Sequence, residues 1–231
     1  MFPLYPMMDP TFFLLIPGLL LAAYAQMKVK TAFGKFSTVH ASRGVSADAV
    51  SRMLLDRFGL QTVEVERVSG QLTDHYDPRA KVLRLSDSVG GSSSIAAIGV
   101  AAHEVGHAVQ DKEGYAPLKF RNAFVPVANI GSMSAFPLFF IGLLMSAKPL
   151  IDIGIVLFLS VVVFHLVTLP VEFDASSRAL RLLGGTGMLT QGEIKGAKSV
   201  LDAAALAYVA ATVVALMNLL RLLILARGRR D

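Results

Sequence analysis

Two uncharged stretches separated by a few residues constrain this chain more than anything else in it. Residues 123–147 carry no charged side chain, and after Lys148, Pro149 and Asp152 a second uncharged run covers residues 153–171. A hydrocarbon core about 30 Å thick is crossed by about 20 helical residues, and in lipid only a segment that satisfies its own backbone hydrogen bonds can cross. The pair therefore predicts a transmembrane helical hairpin. Two further apolar segments flank it. Residues 11–27 precede Lys28, Lys30 and Lys35; residues 203–226 hold Asn218 and Arg221 and lead into Arg227, Arg229 and Arg230. The first reads as a retained anchor rather than a cleaved signal. Ala23-Tyr24-Ala25 resembles a cleavage site, but a signal peptide needs a basic start and residues 1–10 contain neither Lys nor Arg. The last segment either spans or lies against the rest of the protein, so three to four membrane helices are expected.

Composition agrees. Of 231 residues, 54% are hydrophobic and 17% charged, against roughly 25% charged in soluble domains, which argues against a disordered chain and against a purely water-soluble one. There is no cysteine, which excludes disulfides, thiolate metal sites and a cysteine nucleophile. The net charge of +5 fits lysines and arginines flanking membrane spans better than a nucleic-acid surface. The bilayer is the expected partner and nucleic acid is not.

Residues 28–122 read as the soluble part. Residues 45–55 form an amphipathic helix with Val50, Met53 and Leu54 on its apolar face, N-capped by Ser46 and stopped by Gly59. Residues 63–68 and 81–86 each alternate apolar and polar, as strands do, and Asp77-Pro78 marks a turn. A short antiparallel sheet is expected, with His75 at a hairpin tip. After the linker 90–94 an Ala-rich helix runs from Ile95 to about Gln110.

That helix holds His103-Glu104-Val105-Gly106-His107. Residues i and i+4 share a helix face, so both imidazoles can reach one point outside it. Neutral imidazole is a good zinc ligand, and catalytic zinc takes three protein ligands plus a water. Glu104 lies about 100° round the helix from His103, placed to reach that water rather than the metal. Zinc brings the pKa of such a water toward about 7, and Glu104 would take its proton as the oxygen attacks a carbonyl. Chance occurrence of the pattern in a chain of this size is on the order of one per cent or less.

A third ligand must come from elsewhere. Glu172 directly follows the second uncharged run, and two spans out and back return it to the side of the motif helix. A carboxylate buried unpaired at a membrane boundary costs several kcal/mol, so Glu172 is either a metal ligand or an interfacial acid facing water. Residue chemistry alone leaves both open.

The motif, the hairpin and then Glu172 resemble gluzincin-type integral-membrane metallopeptidases, broadly the HtpX and CAAX prenyl endopeptidase group. Residues 67–78 (RVSGQLTDHYDP), Ala101-Ala102-His103-Glu104, residues 113–118 (EGYAPL) and Leu169-Pro170-Val171-Glu172-Phe173 are more closely similar to the YugP-like bacterial membrane zinc metallopeptidases. The resemblance covers almost the whole chain. It implies one Zn2+ per chain bound by His103, His107 and Glu172, with Glu104 as general base and a peptide or membrane-associated protein as substrate. In the broader group an Asp follows the ligand Glu at the fourth position; here that position holds Ser176, Asp174 lies about 200° round a helix from it and is not an obvious substitute, and Asp202 could orient a histidine from the next segment instead.

The expected fold is a mainly α integral membrane protein, with a small zincin-like α+β catalytic domain of a short sheet and the HExxH helix. Its expected parts are an anchor (1–27), the zincin-like catalytic region (28–122), the hairpin (123–171), the third-ligand helix and following segment (172–202), and an apolar helix with a basic tail (203–231). His75, Arg178 and Tyr208 are candidates for substrate binding or for stabilising charge on a tetrahedral intermediate, each with a plainer reading as a turn, surface or core residue. His165 reads as packed within the bundle, and His40 belongs to no constellation. Residues 81–86 are a candidate edge for gripping an extended peptide. Lys28, Lys30, Lys35, Lys119 and Arg121 flank spans on the motif side, against Lys148 opposite, so the positive-inside bias puts the site in the cytoplasm of a multi-pass protein of the cell membrane; Arg227, Arg229 and Arg230 oppose this. The reading from another class is a non-catalytic membrane scaffold or chaperone with a degenerate or structural metal site.

Overall fold

The computed structural model describes residues 10–228; Arg229 and Arg230 of the basic tail, and the start before residue 10, which has neither Lys nor Arg, lie outside the described residues. A 3-10 turn, Pro10–Leu15, leads into α1 (Ile16–Ser37). Then come α2 (Ala47–Arg57), β1 (Glu64–Val68), β2 (His75–Asp77), β3 (Val82–Ser86), α3 (Ile95–Lys112), α4 (Ala116–Leu144), α5 (Lys148–Thr186) and α6 (Gln191–Arg227). The protein is mainly helical with one small sheet. Among the described residues four helices, counting the 3-10 turn with α1, are long and apolar enough to cross a membrane, with mean hydropathies of 1.7, 1.7, 2.6 and 2.2.

The chain forms two compact units. One holds residues 10–25, Phe120–Leu169 and 207–228; the other holds Gln26–Lys119 and Pro170–Leu206. In the first, α4 and α5 make the expected hairpin, but the break sits at residues 145–147, where Ser146 takes a φ of 53°. Lys148 and Asp152, expected in the break, form an i,i+4 ion pair in the first turn of α5. Close approach follows from glycine: a Cβ on Gly154 would meet the Ala135 carbonyl oxygen at 2.9 Å, and one on Gly131 the Leu157 carbonyl oxygen at 2.6 Å. Phe139 of α4, Phe158 and Val162 of α5, and Ala215 and Leu222 of α6 pack into one buried apolar cluster. The last apolar segment, left open above, is fully helical within α6.

The second unit is built round α3. Ala96, Ala97, Ala101, Ala102 and Ala108 have no exposed surface, so the helix is packed on nearly all sides. Small side chains are what allow that. Ser94 caps it, its Oγ accepting from the Ala97 N–H at 3.2 Å. Val50, Leu54 and Leu55 of α2, Leu83 and Leu85 of β3, and Leu183 of α5 complete the core. Gly59, at a φ of +65°, ends α2 as expected. Ser46 does stand at the N-cap position, but its hydroxyl donates to Asp48 at 2.5 Å instead of capping the helix; Asp48 takes the Ala49 N–H.

The sheet corrects three expectations. Its order is β1-β3-β2, with β1 and β3 parallel (Glu64 beside Val82) and only β2 and β3 antiparallel. Parallel neighbours need a crossover of about a dozen residues or more, and residues 69–81 supply it while folding β2 inside it. His75 is therefore the first residue of a strand, paired with Arg84, and not a turn tip. The turn lies after it, where Asp77 Oδ1 accepts from the Arg79 and Ala80 N–H groups. Because β3 is flanked on both sides, residues 81–86 present no free edge for a peptide; the open edges belong to β1 and β2.

Candidate metal centre

The face of α3 that carries the motif meets α5. Gly106 is the reason the two come so close: a Cβ there would lie 2.6 Å from the carbonyl oxygen of Ala175. Ala175 stands one turn beyond Glu172 on the same face of α5, so this contact sets the Glu172 carboxylate beside both histidines. His103 Nε2 is 3.2 Å from Glu172 Oε2, and His107 Nε2 is 3.7 Å from Glu172 Oε1. The two rings stand edge to face, 4.7 Å apart between centroids. Glu172 is 3% exposed and His107 7%.

These separations suit a metal. Ligand atoms about 2.0–2.2 Å from one tetrahedral ion lie roughly 3.3–3.5 Å from each other, and the three donor atoms here fall within 4.8 Å of one another. The other imidazole nitrogens are already engaged: His103 Nδ1 lies 3.1 Å from Ser176 Oγ, and His107 Nδ1 lies 2.9 Å from Gln110 Oε1. That leaves Nε2 of each ring for a ligand role. Two imidazoles and one carboxylate, with no sulfur, form a donor set that fits zinc.

Glu104 is buried and stands apart from the three donors, on the β2 side of α3. Its Oε2 accepts the Tyr76 N–H at 3.1 Å, an amide on the open edge of β2. Tyr76 is held in turn by its hydroxyl, which donates to Asp111 at 2.8 Å, and Asp111 also pairs with Lys81 at 2.5 Å. Burial, followed by this bond to Asp111, raises the Tyr76 hydroxyl well above the ordinary phenol range.

The remaining sequence candidates fall as follows. His75 is exposed on β2, with Nδ1 on the Thr73 carbonyl oxygen at 2.9 Å and Nε2 3.4 Å from Arg84. Arg178 is engaged by Asp174 and by Glu113, both at 2.5 Å, with Tyr115 5.8 Å beneath it. Tyr208 lies on α6 in the first unit and is 39% exposed. His165 packs beside Phe164 in α5, and His40 bonds Ser93 Oγ at 2.9 Å. Asp202 is not a histidine partner: it is exposed and paired with Lys198, one turn earlier on α6, at 2.5 Å. The sequence reading missed Gln110 and Ser176. Gln110 follows His107 by three residues, on the same helix face, and that spacing was the available signal. Ser176 stands where a carboxylate was sought and was passed over as a gap.

Residues 11–227 match the model of a family described as "Putative neutral zinc metallopeptidase". The chain is 48% identical over 219 residues to the "Putative membrane protease YugP" of Bacillus subtilis (strain 168), an alignment covering 95% of this chain and 97% of that protein. No solved structure matches it. A family match and a relative of this closeness both run through α3 and α5, and on that ground the chain belongs to this zinc metallopeptidase family.

Proposed function

We propose that the protein is a membrane-embedded zinc metalloendopeptidase that cleaves peptide bonds in membrane-associated or unfolded proteins. The observation that carries the reading is the convergence of His103 Nε2, His107 Nε2 and the buried Glu172 carboxylate, with a second buried carboxylate, Glu104, next to His103 in the chain and outside the donor set. Structural zinc sites have four protein ligands and no spare base. Three donors plus a base is the pattern of a hydrolase, and it tells against a structural or degenerate site in a scaffold.

His103, His107 and Glu172 would hold the metal. Zinc bound there supplies Lewis acidity, which makes water nucleophilic near neutral pH and polarises a peptide carbonyl. Glu104 removes the proton of the attacking water and passes it to the leaving nitrogen. Its neighbour on β2 supports that role: the Tyr76 N–H fixes one carboxylate oxygen and leaves the other to work. The β2 edge, not β3, lies beside Glu104, and an extended substrate added there would present its backbone to the base. Burial keeps bulk water from the carboxylates and strengthens each charge interaction.

The Glu104→Gln variant tests the mechanism. It should keep zinc at one equivalent by elemental analysis and lose about 100-fold to 10,000-fold in peptide hydrolysis, the range a positioned base contributes; hydrolysis at the wild-type rate overturns the reading. We assign the site to the cytoplasmic face of the cell membrane, on the small excess of Lys28, Lys30, Lys35, Lys119 and Arg121 over Lys148, Arg227, Arg229 and Arg230 at the ends of the spans.

A further inference from the structure

Gln110 has no exposed surface, so each of its amide atoms has to find its partner inside the protein. Its Nε2 lies 2.9 Å from the Val171 carbonyl oxygen and 2.8 Å from Asp174 Oδ2. Both are acceptors: a carbonyl has no hydrogen to give, and Asp174 is an ion-paired carboxylate, bound by Arg178 Nε at 2.5 Å. The opposite amide orientation would press the glutamine oxygen against two acceptor oxygens and leave its two N–H groups facing His107. The NH2 group therefore faces α5, and Oε1 is the atom 2.9 Å from His107 Nδ1. An amide oxygen only accepts. The hydrogen of the neutral His107 ring must then sit on Nδ1, and the lone pair on Nε2, toward Glu172.

The opposing influence is Glu172 itself. Its Oε1 is 3.7 Å from His107 Nε2, and a carboxylate there draws the ring hydrogen onto Nε2, the nitrogen a metal needs bare. His103 has no comparable restraint, because the Ser176 hydroxyl at its Nδ1 can donate or accept. The two histidines differ in what fixes them.

We propose that Gln110 is a positioning residue that locks His107 in the Nδ1–H form, against the pull of Glu172, and that Asp174, Arg178 and Glu113 anchor it as an outward chain. The chain replaces the single carboxylate that commonly orients a zinc histidine. It also gives Arg178 a role at the outer end of the ligand support. The consequence for metal binding rests on the metallopeptidase reading above; the lock itself does not, since it is a property of the metal-free protein.

The test is nitrogen NMR on metal-free full-length protein labelled with 15N-histidine, at a pH where the ring is neutral, with His107 identified by its loss in His107→Gln. The two ring nitrogens resonate far apart when one carries hydrogen and the other does not. We expect hydrogen on Nδ1 in the wild type and a shift toward Nε2 in Gln110→Leu, together with 10-fold to 100-fold weaker zinc binding by chelator competition. A wild-type His107 carrying its hydrogen on Nε2 overturns the proposal, and this measurement needs no variant to fold. A folded Gln110→Leu that binds zinc as tightly as the wild type overturns it as well. Nδ1–H in a wild-type protein that binds no zinc supports the lock while overturning the metallopeptidase reading.

Discussion

Asp77 shows how much of this protein turns on single side chains. The N–H groups of Ala80 and Arg79, with Arg84 on the other oxygen, hold its carboxyl below the usual carboxylate range. A carboxyl whose folded pKa is depressed stabilises the fold at pH above its unfolded value, about 3.9, and loses that contribution as pH falls through the folded value. The stability gap between the wild type and Asp77→Asn, read from denaturant unfolding, should therefore be constant near neutrality and close below about pH 4. At this scale the sequence was most legible where chemistry is local. His103, Glu104 and His107 announce themselves by spacing. Gln110 does not, because glutamine is common on helices and only the two acceptors on α5 give it a direction. Ser176 was read as a missing acid because the search was for charge, whereas what stands at His103 Nδ1 is a hydroxyl.

Among the elements, α3 and α5 carry the candidate site, and Gly106 governs their approach. Gly106→Ala would drive a methyl carbon to 2.6 Å from the Ala175 carbonyl oxygen. Backbone cannot yield as a flexible side chain can, so α5 must move. A cost of about 1–3 kcal/mol is typical of overpacking, and Glu172 moves with the helix. Unfolding measurements should show that loss and elemental analysis a fall in zinc content; an unchanged stability and zinc content would mean that this contact does not set the ligand distance. The helices themselves were readable from hydrophobic runs and caps. The sheet was not. Alternation in residues 63–68 and 81–86 reveals strands but carries no sign of their relative direction, and the three residues of β2 are too few to show a period. The consequence was substantial: the strand taken for the substrate edge is the central one.

For the whole molecule, α5 merges two parts that the sequence divided. The hairpin helix and the third-ligand helix are one continuous element from Lys148 to Thr186, since nothing between residues 171 and 172 stops a helix; Pro170 removes one hydrogen bond without ending it. Orientation in the bilayer can be checked because the chain has no cysteine to interfere. Single cysteines at Thr62 and Met145, both exposed, should behave oppositely toward a membrane-impermeant maleimide. With a cytoplasmic site, Met145→Cys is labelled in intact cells and Thr62→Cys only after permeabilisation; the reverse pattern would put the site outside.

The donor set has a bearing on durability. Many zinc proteins grip their ion through thiolates, which peroxides convert to sulfenic acids and disulfides, so that oxidative stress expels the metal. Imidazole nitrogen and carboxylate oxygen have no such chemistry. A centre assembled from His103, His107 and Glu172 would keep its cargo where a thiolate cage gives it up, and a peptidase so equipped stays in service while the proteins around it are being damaged.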